Sequence, residues 1–535
     1  MTTNHHLAIS GDKMRAALPK LLEAVPGEWR GTTFKNHNLL GRRQFAENMA
    51  ELINTDKEYT EEDMVAVGNA EDYLRVASNV STTLELSLAR VRGLEVDQVW
   101  SFASTRMPVL SVLLTAGNTP VTLYTGDTPA IFTPPQADLL VMLGVNLTQE
   151  TGQPQASPDS IVLALDSAGG QGADGVVAGN VLYIMNADKI KGAEILIIRK
   201  RMSTPVTTPV AIAMMQDLCG LPDTGSLPEP SQSDLHAFYA HLQTMSGTEA
   251  NPACQPAVFT AGLSALCSMY LALLKQGGCN LLMCSTAYGG SSQLTDLISS
   301  RAPKFSKSTF DIQGDADIGQ SIKSSLDALA KDAAALLPTT VLFVEIPTNP
   351  DMKVPNMDDV GKFVSAYKAA TGKRVILCID STFAPSSKVM SKVKAMDPEL
   401  PCFAFISMSK SVSQGETTAG ALVANHTPEA VALLANIRDC AVMMDTAAKP
   451  DQLHFLCKRH AGTEERCAEA YQVAKAVGDA LQTAVEKNTG REMPLAFVRE
   501  EHAKIGFTSS TFSFNLPVPE GASAAQTAAL GMIHI

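Results

Sequence analysis

Largely apolar runs, short and unbroken, recur along the chain at 161–165, 193–198, 280–284, 340–345, 374–379 and 403–407. Between them lie segments such as 264–275, 318–336 and 358–371, where Ala and Leu return at three- and four-residue steps. Strands without polar alternation are those of a parallel sheet covered on both faces, and the segments between them have the helical period. The alternation therefore predicts an α/β fold, a mostly parallel sheet with flanking helices. From about residue 428 the pattern lengthens into longer helices, including 463–486, followed by one strand-like run at 510–516. That change predicts a smaller C-terminal α+β domain. Residues 221–256, rich in Pro, Ser, Asp and Gly, read as an exposed insertion.

One stretch is echoed. Val99-Trp100-Ser101-Phe102-Ala103-Ser104-Thr105-Arg106-Met107, followed by an apolar helix and Gly117, resembles residues 256–263, followed by a helix and Gly277. The two phenylalanines, Phe102 and Phe259, are 157 residues apart. The echo is either a degenerate duplication or a chance likeness of two strand–turn–helix units.

Composition narrows the classes. The chain has 535 residues, 45% hydrophobic and 18% charged, enough apolar surface for a large core. At about 150 residues per domain, that length allows three or four domains. A net charge of −13 disfavours a general nucleic-acid binder, which needs a basic surface to displace counterions. The ten cysteines lie between Cys219 and Cys467 without paired spacing, as expected of reduced thiols in a cytoplasmic protein. Met1-Thr2-Thr3-Asn4-His5-His6 has no signal-peptide character, and no apolar run of about 18 residues predicts a membrane span.

The ends of the predicted strands carry the candidate chemistry. Ser407-Met408-Ser409-Lys410 follows a buried run. A lysine there is costly unless bonded, and the two hydroxyls before it suit a phosphate while the amine attacks an aldehyde. A surface lysine whose stem lies on apolar neighbours is the plainer alternative. Cys378-Ile379-Asp380-Ser381-Thr382 puts a carboxylate at a strand end, where open α/β sheets bind ligands, or else caps a helix. Glu345-Ile346-Pro347-Thr348-Asn349-Pro350 holds an asparagine in a proline-fixed turn. Thr286-Ala287-Tyr288-Gly289-Gly290 offers a flat ring beside close-approach glycines. Phe259-Thr260-Ala261-Gly262-Leu263 opens a helix whose first N–H groups can face an anion.

Taken in this order, AGLSA, AYGG, EIPTNP, CIDSTFAP and SMSKSVSQGETTAGALV resemble the blocks of the Cys/Met-metabolism family of pyridoxal-phosphate (PLP) enzymes. That family includes cystathionine γ-synthase, cystathionine γ-lyase and methionine γ-lyase. The resemblance runs from about residue 257 to the C-terminus. It implies the PLP-dependent transferase-like fold of aspartate aminotransferase, fold type I, and it implies roles. Lys410 would form the Schiff base with the cofactor and shuttle protons, Asp380 would pair the ring nitrogen, and Tyr288 would stack on the ring. Gly262, Leu263, Ser407 and Ser409 would hold the phosphate, with Thr382 also at the cofactor and Asn349 near its phenolic oxygen.

The family also brings a Tyr-x-Arg pair to the phosphate from a neighbouring subunit. Tyr73 and Arg75, with Asn79 and Leu84-Glu85-Leu86-Ser87-Leu88-Ala89 behind them, are the favoured match, with one extra residue before the asparagine. Arg201, ahead of Pro205 but with Arg199 where the tyrosine belongs, is the rival. Either implies a homo-oligomer, dimer or tetramer, with sites at subunit interfaces. The domains expected are an N-terminal extension (1–200), a PLP-binding domain (201–425) and a small domain (426–535).

Departures from the family are as informative. Ser381 and Ser409 stand where it has asparagine and threonine, and after Phe512 no arginine matches the one that grips the substrate carboxylate. Other motifs weigh less. Gly170-Gln171-Gly172-Ala173-Asp174-Gly175 fits a dinucleotide fingerprint but leads into a strand-like run at 176–185 instead of a helix. Ser407–Lys410 fits the S-x-x-K of acyl-enzymes without the K-T-G partner. His454, Cys457 and His460 share a helix side without a metal-ligand pattern, and Cys279 and Cys284 flank a core strand; no metal is expected. The expected activity is γ-replacement on an amino acid with a leaving group at the γ-carbon, with γ- or β-elimination on cystathionine or methionine, or a catalytically inactive scaffold or regulatory subunit, as alternatives.

Overall fold

The computed structural model describes residues 9–32, 39–71, 73–313, 317–514, 521 and 523. Two sheets share one continuous apolar core, from Trp100 to Phe507. The first has strands β1 (Val99–Ser101), β2 (Val121–Tyr124), β3 (Leu147–Glu150), β4 (Ile161–Leu165), β5 (Gly175–Ala178) and β6 (Val181–Ile184), in spatial order β1-β6-β5-β4-β2-β3. There β5, β4, β2 and β3 run parallel, while β6 and β1 are antiparallel to their neighbours. The second has β7 (Ala257–Phe259), β8 (Cys279–Cys284), β9 (Phe305–Phe310), β10 (Thr339–Glu345), β11 (Arg374–Asp380), β12 (Cys402–Ser407) and β13 (Gly420–Ala424), in order β7-β13-β12-β11-β10-β8-β9. Strands β12, β11, β10, β8 and β9 are parallel; β13 and β7 are antiparallel.

The fold is α/β, and the unbroken apolar runs are its central strands. β8 and β10 are buried at every residue, because helices cover both faces. The helix Gly262–Lys275 is buried on all sides up to Leu274, as a helix without a polar stripe must be. The C-terminal part has the long helix Thr463–Thr489 and a two-strand pairing of Leu495–Ala496 with Ser513–Phe514. The strand expected over 510–516 is thus two residues long within the described chain, and residues 515–516 lie outside it. Among the described residues no helix is long and apolar enough to cross a membrane.

Two expectations are corrected. Residues 193–198 are not a strand but part of the helix Gly192–Met202. Its buried residues Ile195, Ile198, Arg199 and Met202 follow the helical period, Ile197 is 49% exposed, and Glu194 and the basic run 199–201 suit the helix dipole. A short apolar run does not separate the two states by itself. Residues 221–256 are not simply an exposed insertion. They contain the helix Gln232–Ser246, capped by Ser231, which buries Phe238, Leu242 and Met245 in the main core. The glycine motif at 170–175 leads into β5 of a β5–β6 hairpin, not into a helix.

A buried charge cluster ties the first 200 residues together. Glu85, fully buried in the helix Asn79–Val91, binds Arg199 and Arg42 and accepts from Ser101 N and Oγ at 2.8 and 2.6 Å. Both guanidiniums also lie over the Trp100 ring, Arg42 at 4.3 Å and Arg199 at 4.8 Å from its centroid. Burial pushes Glu85 up, but Arg199, Arg42 and Ser101 more than reverse this and hold it below the ordinary carboxylate range. Removing the anion from such a cluster leaves uncompensated buried cations. Glu85→Gln is therefore expected to cost about 3–5 kcal/mol, read as a lowered urea midpoint.

Candidate active site

The carboxyl ends of β8, β10, β11 and β12 and the start of the helix Gly262–Lys275 enclose a cavity of about 290 Å³. Its wall brings together Lys410, Asp380 and Tyr288. Gly262, Leu263, Ser407, Asn349, Thr382, Tyr73 and Arg75 complete the expected set there. Ser409 is the exception. It is buried behind the wall, its Oγ accepting from Ala419 N at 3.2 Å, and it hydrogen-bonds the Tyr73 side chain. Arg201 is not in the wall either; its guanidinium donates to Gln293 Oε1, 2.8 Å from Nε.

Strand register positions the acids. In the parallel pairing of β10 with β11, Glu345 lies opposite Asp380, and Asp380 lies opposite Phe405 of β12. From there a chain of contacts leads to the lysine. Thr382 N donates to Asp380 Oδ1 at 2.9 Å, Ser407 N donates to Thr382 Oγ1 at 2.9 Å, and Lys410 Nζ donates to Ser407 Oγ at 3.1 Å. Lys410 Nζ is also 5.8 Å from the centroid of the Tyr73 ring. Across the cavity wall, Tyr288 N donates to Glu345 Oε1 at 2.6 Å and Arg75 Nη2 donates to Tyr288 Oη at 2.9 Å.

Backbone proximity shapes the anion end. A Cβ on Gly420 would lie 2.4 Å from the Gly262 Cα, and one on Gly262 would lie 3.0 Å from the Phe405 ring. The helix start therefore rests directly on β12 and β13, with its unpaired first N–H groups at the cavity.

Charge is unevenly distributed in this wall. Burial, and then the neighbouring Asp380, push Glu345 up to about 8, and burial raises Asp380 as well. Among the described residues, Glu345 Oε2 is buried with no hydrogen-bond partner. Burial pushes the Tyr73 phenol up, but Lys410, Arg75 and the hydrogen bonds of Ser409 and Arg75 bring it below its ordinary value. Arg201 is lowered by burial and by Arg75, which places the rival guanidinium beside the favoured one. Glu345 is a site residue that its motif alone does not assign; its signal is an acid ending an apolar strand, the same signal that singles out Asp380. Phe405, inside an apolar run, had none. Of the remaining candidates, His454 Nδ1 is 2.9 Å from the Pro228 carbonyl, His460 contacts His241, and Cys279 and Cys284 are buried.

Residues 239–395 match the model of the family described as Cys/Met metabolism PLP-dependent enzyme, the family that the motifs resemble. No curated protein matches the chain. Similar solved structures include a cystathionine gamma lyase, CalE6, from Micromonospora echinospora, at 16% identity and TM-score 0.37. Another is metB from Corynebacterium glutamicum, at 14% identity and TM-score 0.38. Each likeness covers 52% of this chain and 65% of the other, so the chain spans less than two thirds of their length. Likenesses at that level leave the functional reading to the residues themselves.

These residues fit PLP. Two adjacent buried acids, one with an orphaned oxygen, call for a cation at the end of β11, which a protonated ring nitrogen supplies. The helix start, Ser407 and Arg75 offer donors to a phosphate, and the Lys410 amine faces the cavity. Without the cofactor, folding takes up a proton at Glu345 between the ordinary carboxylate value of 4.5 and about 8. A raised carboxyl favours the folded state at low pH and loses that advantage as pH rises through its folded value. The urea midpoint of the cofactor-free chain should therefore fall from about pH 5.5 to about pH 8.5, and Glu345→Gln should lessen that fall.

Proposed function

We propose that the chain is a PLP-dependent enzyme that replaces the γ-substituent of a small amino acid, in the manner of cystathionine γ-synthase. The observation that carries this reading is the convergence of Lys410, Asp380 and Tyr288 with Tyr73 and Arg75 on one cavity of about 290 Å³. That volume suits a compact ligand. Bound PLP would supply an electron sink for the substrate's α-carbon.

The chain's residues divide the remaining tasks. Lys410 Nζ, held by Ser407 Oγ, removes the α-proton and carries protons between substrate carbons. The Asp380 carboxylate, itself held by Thr382 N, keeps a proton on the base it faces. Tyr288 lines the cavity with its hydroxyl fixed by Arg75, placed to protonate a departing γ-group. Arg75 and the start of the helix Gly262–Lys275 bind the phosphate. Among the described residues Arg75 is the one arginine in the cavity wall, so the substrate carboxylate falls to neutral donors, with Asn349 the candidate.

Replacement is favoured over elimination because the extra N-terminal mass, which reaches the site through Tyr73 and Arg75, offers surface beside it where a second substrate can be shaped. The acidic chain and its ten free cysteines suit a cytoplasmic enzyme with a small-molecule substrate and no nucleic acid. Purified protein supplied with PLP should show a visible absorption band, and borohydride should fix the cofactor to Lys410. Lys410→Ala should abolish the band and lower turnover by about 10²–10⁴-fold. With an O-acylhomoserine and cysteine, the thioether product marks replacement, whereas a keto acid and ammonia mark elimination. A protein that binds no PLP would overturn the reading.

A further inference from the structure

We infer that the chain is a fused pair of like halves. The first half has lost its own site and acts as a built-in neighbour, supplying Tyr73 and Arg75 to the Lys410 site of the same chain. What that site binds rests on the function proposed above; the fusion rests on the fold.

The two sheets follow one path. In β1-β6-β5-β4-β2-β3 and β7-β13-β12-β11-β10-β8-β9, the first strand of each half pairs antiparallel with its last strand, which pairs antiparallel with the strand before it. The rest are parallel in the same order, with one strand fewer in the first half. Sequence identifies the missing one. β4 runs Ile161-Val162-Leu163-Ala164-Leu165 into Asp166-Ser167, as β11 runs Val375-Ile376-Leu377-Cys378-Ile379 into Asp380-Ser381. β4 thus corresponds to β11, and the counterpart of β10 is absent.

The contacts between the halves run in both directions, approximately as across a two-fold axis, with the two serine donors three positions, about one helical turn, out of the 157-residue register. Ser104 Oγ of the first half donates to the Met444 carbonyl of the second at 2.7 Å, and Ser264 Oγ of the second donates to the Met202 carbonyl of the first at 3.1 Å. Met202 and Met444 each end the helix that follows the last strand of their half. Within each half a further bond repeats. Ala103 N donates to Thr204 O and Thr260 N to Thr446 O, both at 2.9 Å. Ala103 and Thr260 keep the 157-residue spacing of the two phenylalanines, and Thr204 and Thr446 keep the 242-residue spacing of the two methionines. Chance likeness of two short units does not produce matched spacings at both ends of the sheet.

The first half's own site is gone. Gly179 and Asn180 join β5 to β6 directly, whereas residues 408–419, with Lys410, join β12 to β13. Before its helix Met107–Thr115, Thr105 N and Oγ1 donate to Asp445 Oδ2 at 2.7 and 3.0 Å, so a carboxylate fills that anion seat. Asp166, the counterpart of Asp380, is exposed and paired with Arg92 at 3.2 Å. What remains is the clamp. Tyr73 and Arg75 line the cavity of the second half, and Arg75 reaches Tyr288 within one chain.

Two measurements test this. Chains carrying Arg75→Ala and Lys410→Ala are co-expressed and their retained PLP compared with each variant made alone. In a site shared between subunits, hybrids would restore about one intact site in four. The expected result is no restoration, with wild type holding one PLP per chain; restoration would overturn the inference. Second, a photoreactive benzophenone amino acid replaces Tyr73 in the cofactor-free protein. Irradiation should join position 73 to the Lys410 segment in a product of single-chain mass. A two-chain product, or no link to that segment, would overturn it. This arm needs no cofactor, so a protein that binds no PLP sinks the proposed function without deciding the fusion.

Discussion

The fully buried Glu85 carboxylate is the constraint on which the position of the clamp depends. It holds Arg199, and Arg199 Nη2 donates in turn to the Val76 carbonyl at 3.2 Å, in the segment that carries Tyr73 and Arg75. Arg75 Nη1 donates to the Lys200 carbonyl, on the same helix as Arg199. A buried ion cluster gains little net stability over apolar packing, but it tolerates few arrangements of its partners. Its value here is positional. It fixes the distance between a loop near residue 75 and a cavity built by residues more than 180 positions later.

The second constraint is the register of the parallel strands. Placing Glu345 opposite Asp380 sets two carboxyls side by side where strand ends open to a ligand. Burial raises both, and Asp380 raises Glu345 further, at a cost to folding. A cation seated beside them, such as a protonated ring nitrogen, would offset that cost. Thr382 and Ser407 carry the same geometry to Lys410, through two backbone N–H donors to side-chain oxygens and a last bond from the Lys410 amine to the Ser407 hydroxyl.

Much of this was legible in the sequence because strand ends and chemistry coincide. The runs at 161–165, 280–284, 340–345, 374–379 and 403–407 lie within observed strands, where unbroken apolarity suits a sheet covered on both faces. Lys410, Asp380 and Tyr288 could be singled out because each polar residue follows such a run. Residues 193–198 misled for the converse reason: four apolar residues in a row also suit a helix with one buried face and an exposed Ile197. The helix Gln232–Ser246 was hidden by the turn-rich residues around it. Tyr73 and Arg75 were visible only through a family pattern, because nothing in local periodicity relates residue 75 to residue 288. Glu345 carried the right signal, an acid ending a strand, but its role depends on a cross-strand neighbour that sequence order conceals.

Fusion changes what selection can do with a shared site. In a symmetric dimer each subunit gives a clamp and receives one, so a change in either role appears twice. Once both halves are one chain, the two roles belong to different residues and can diverge. The first half kept Tyr73 and Arg75, lost the lysine loop between β5 and β6, and accepted Asp445 where an anion would bind. Covalent linkage also replaces association by an effective concentration of about millimolar for a flexible tether, and the continuous core here is stiffer than a tether. The clamp is then present whatever the protein concentration. The length that exceeds one catalytic unit is explained as the first half, a built-in neighbour specialised to clamp the site of the second.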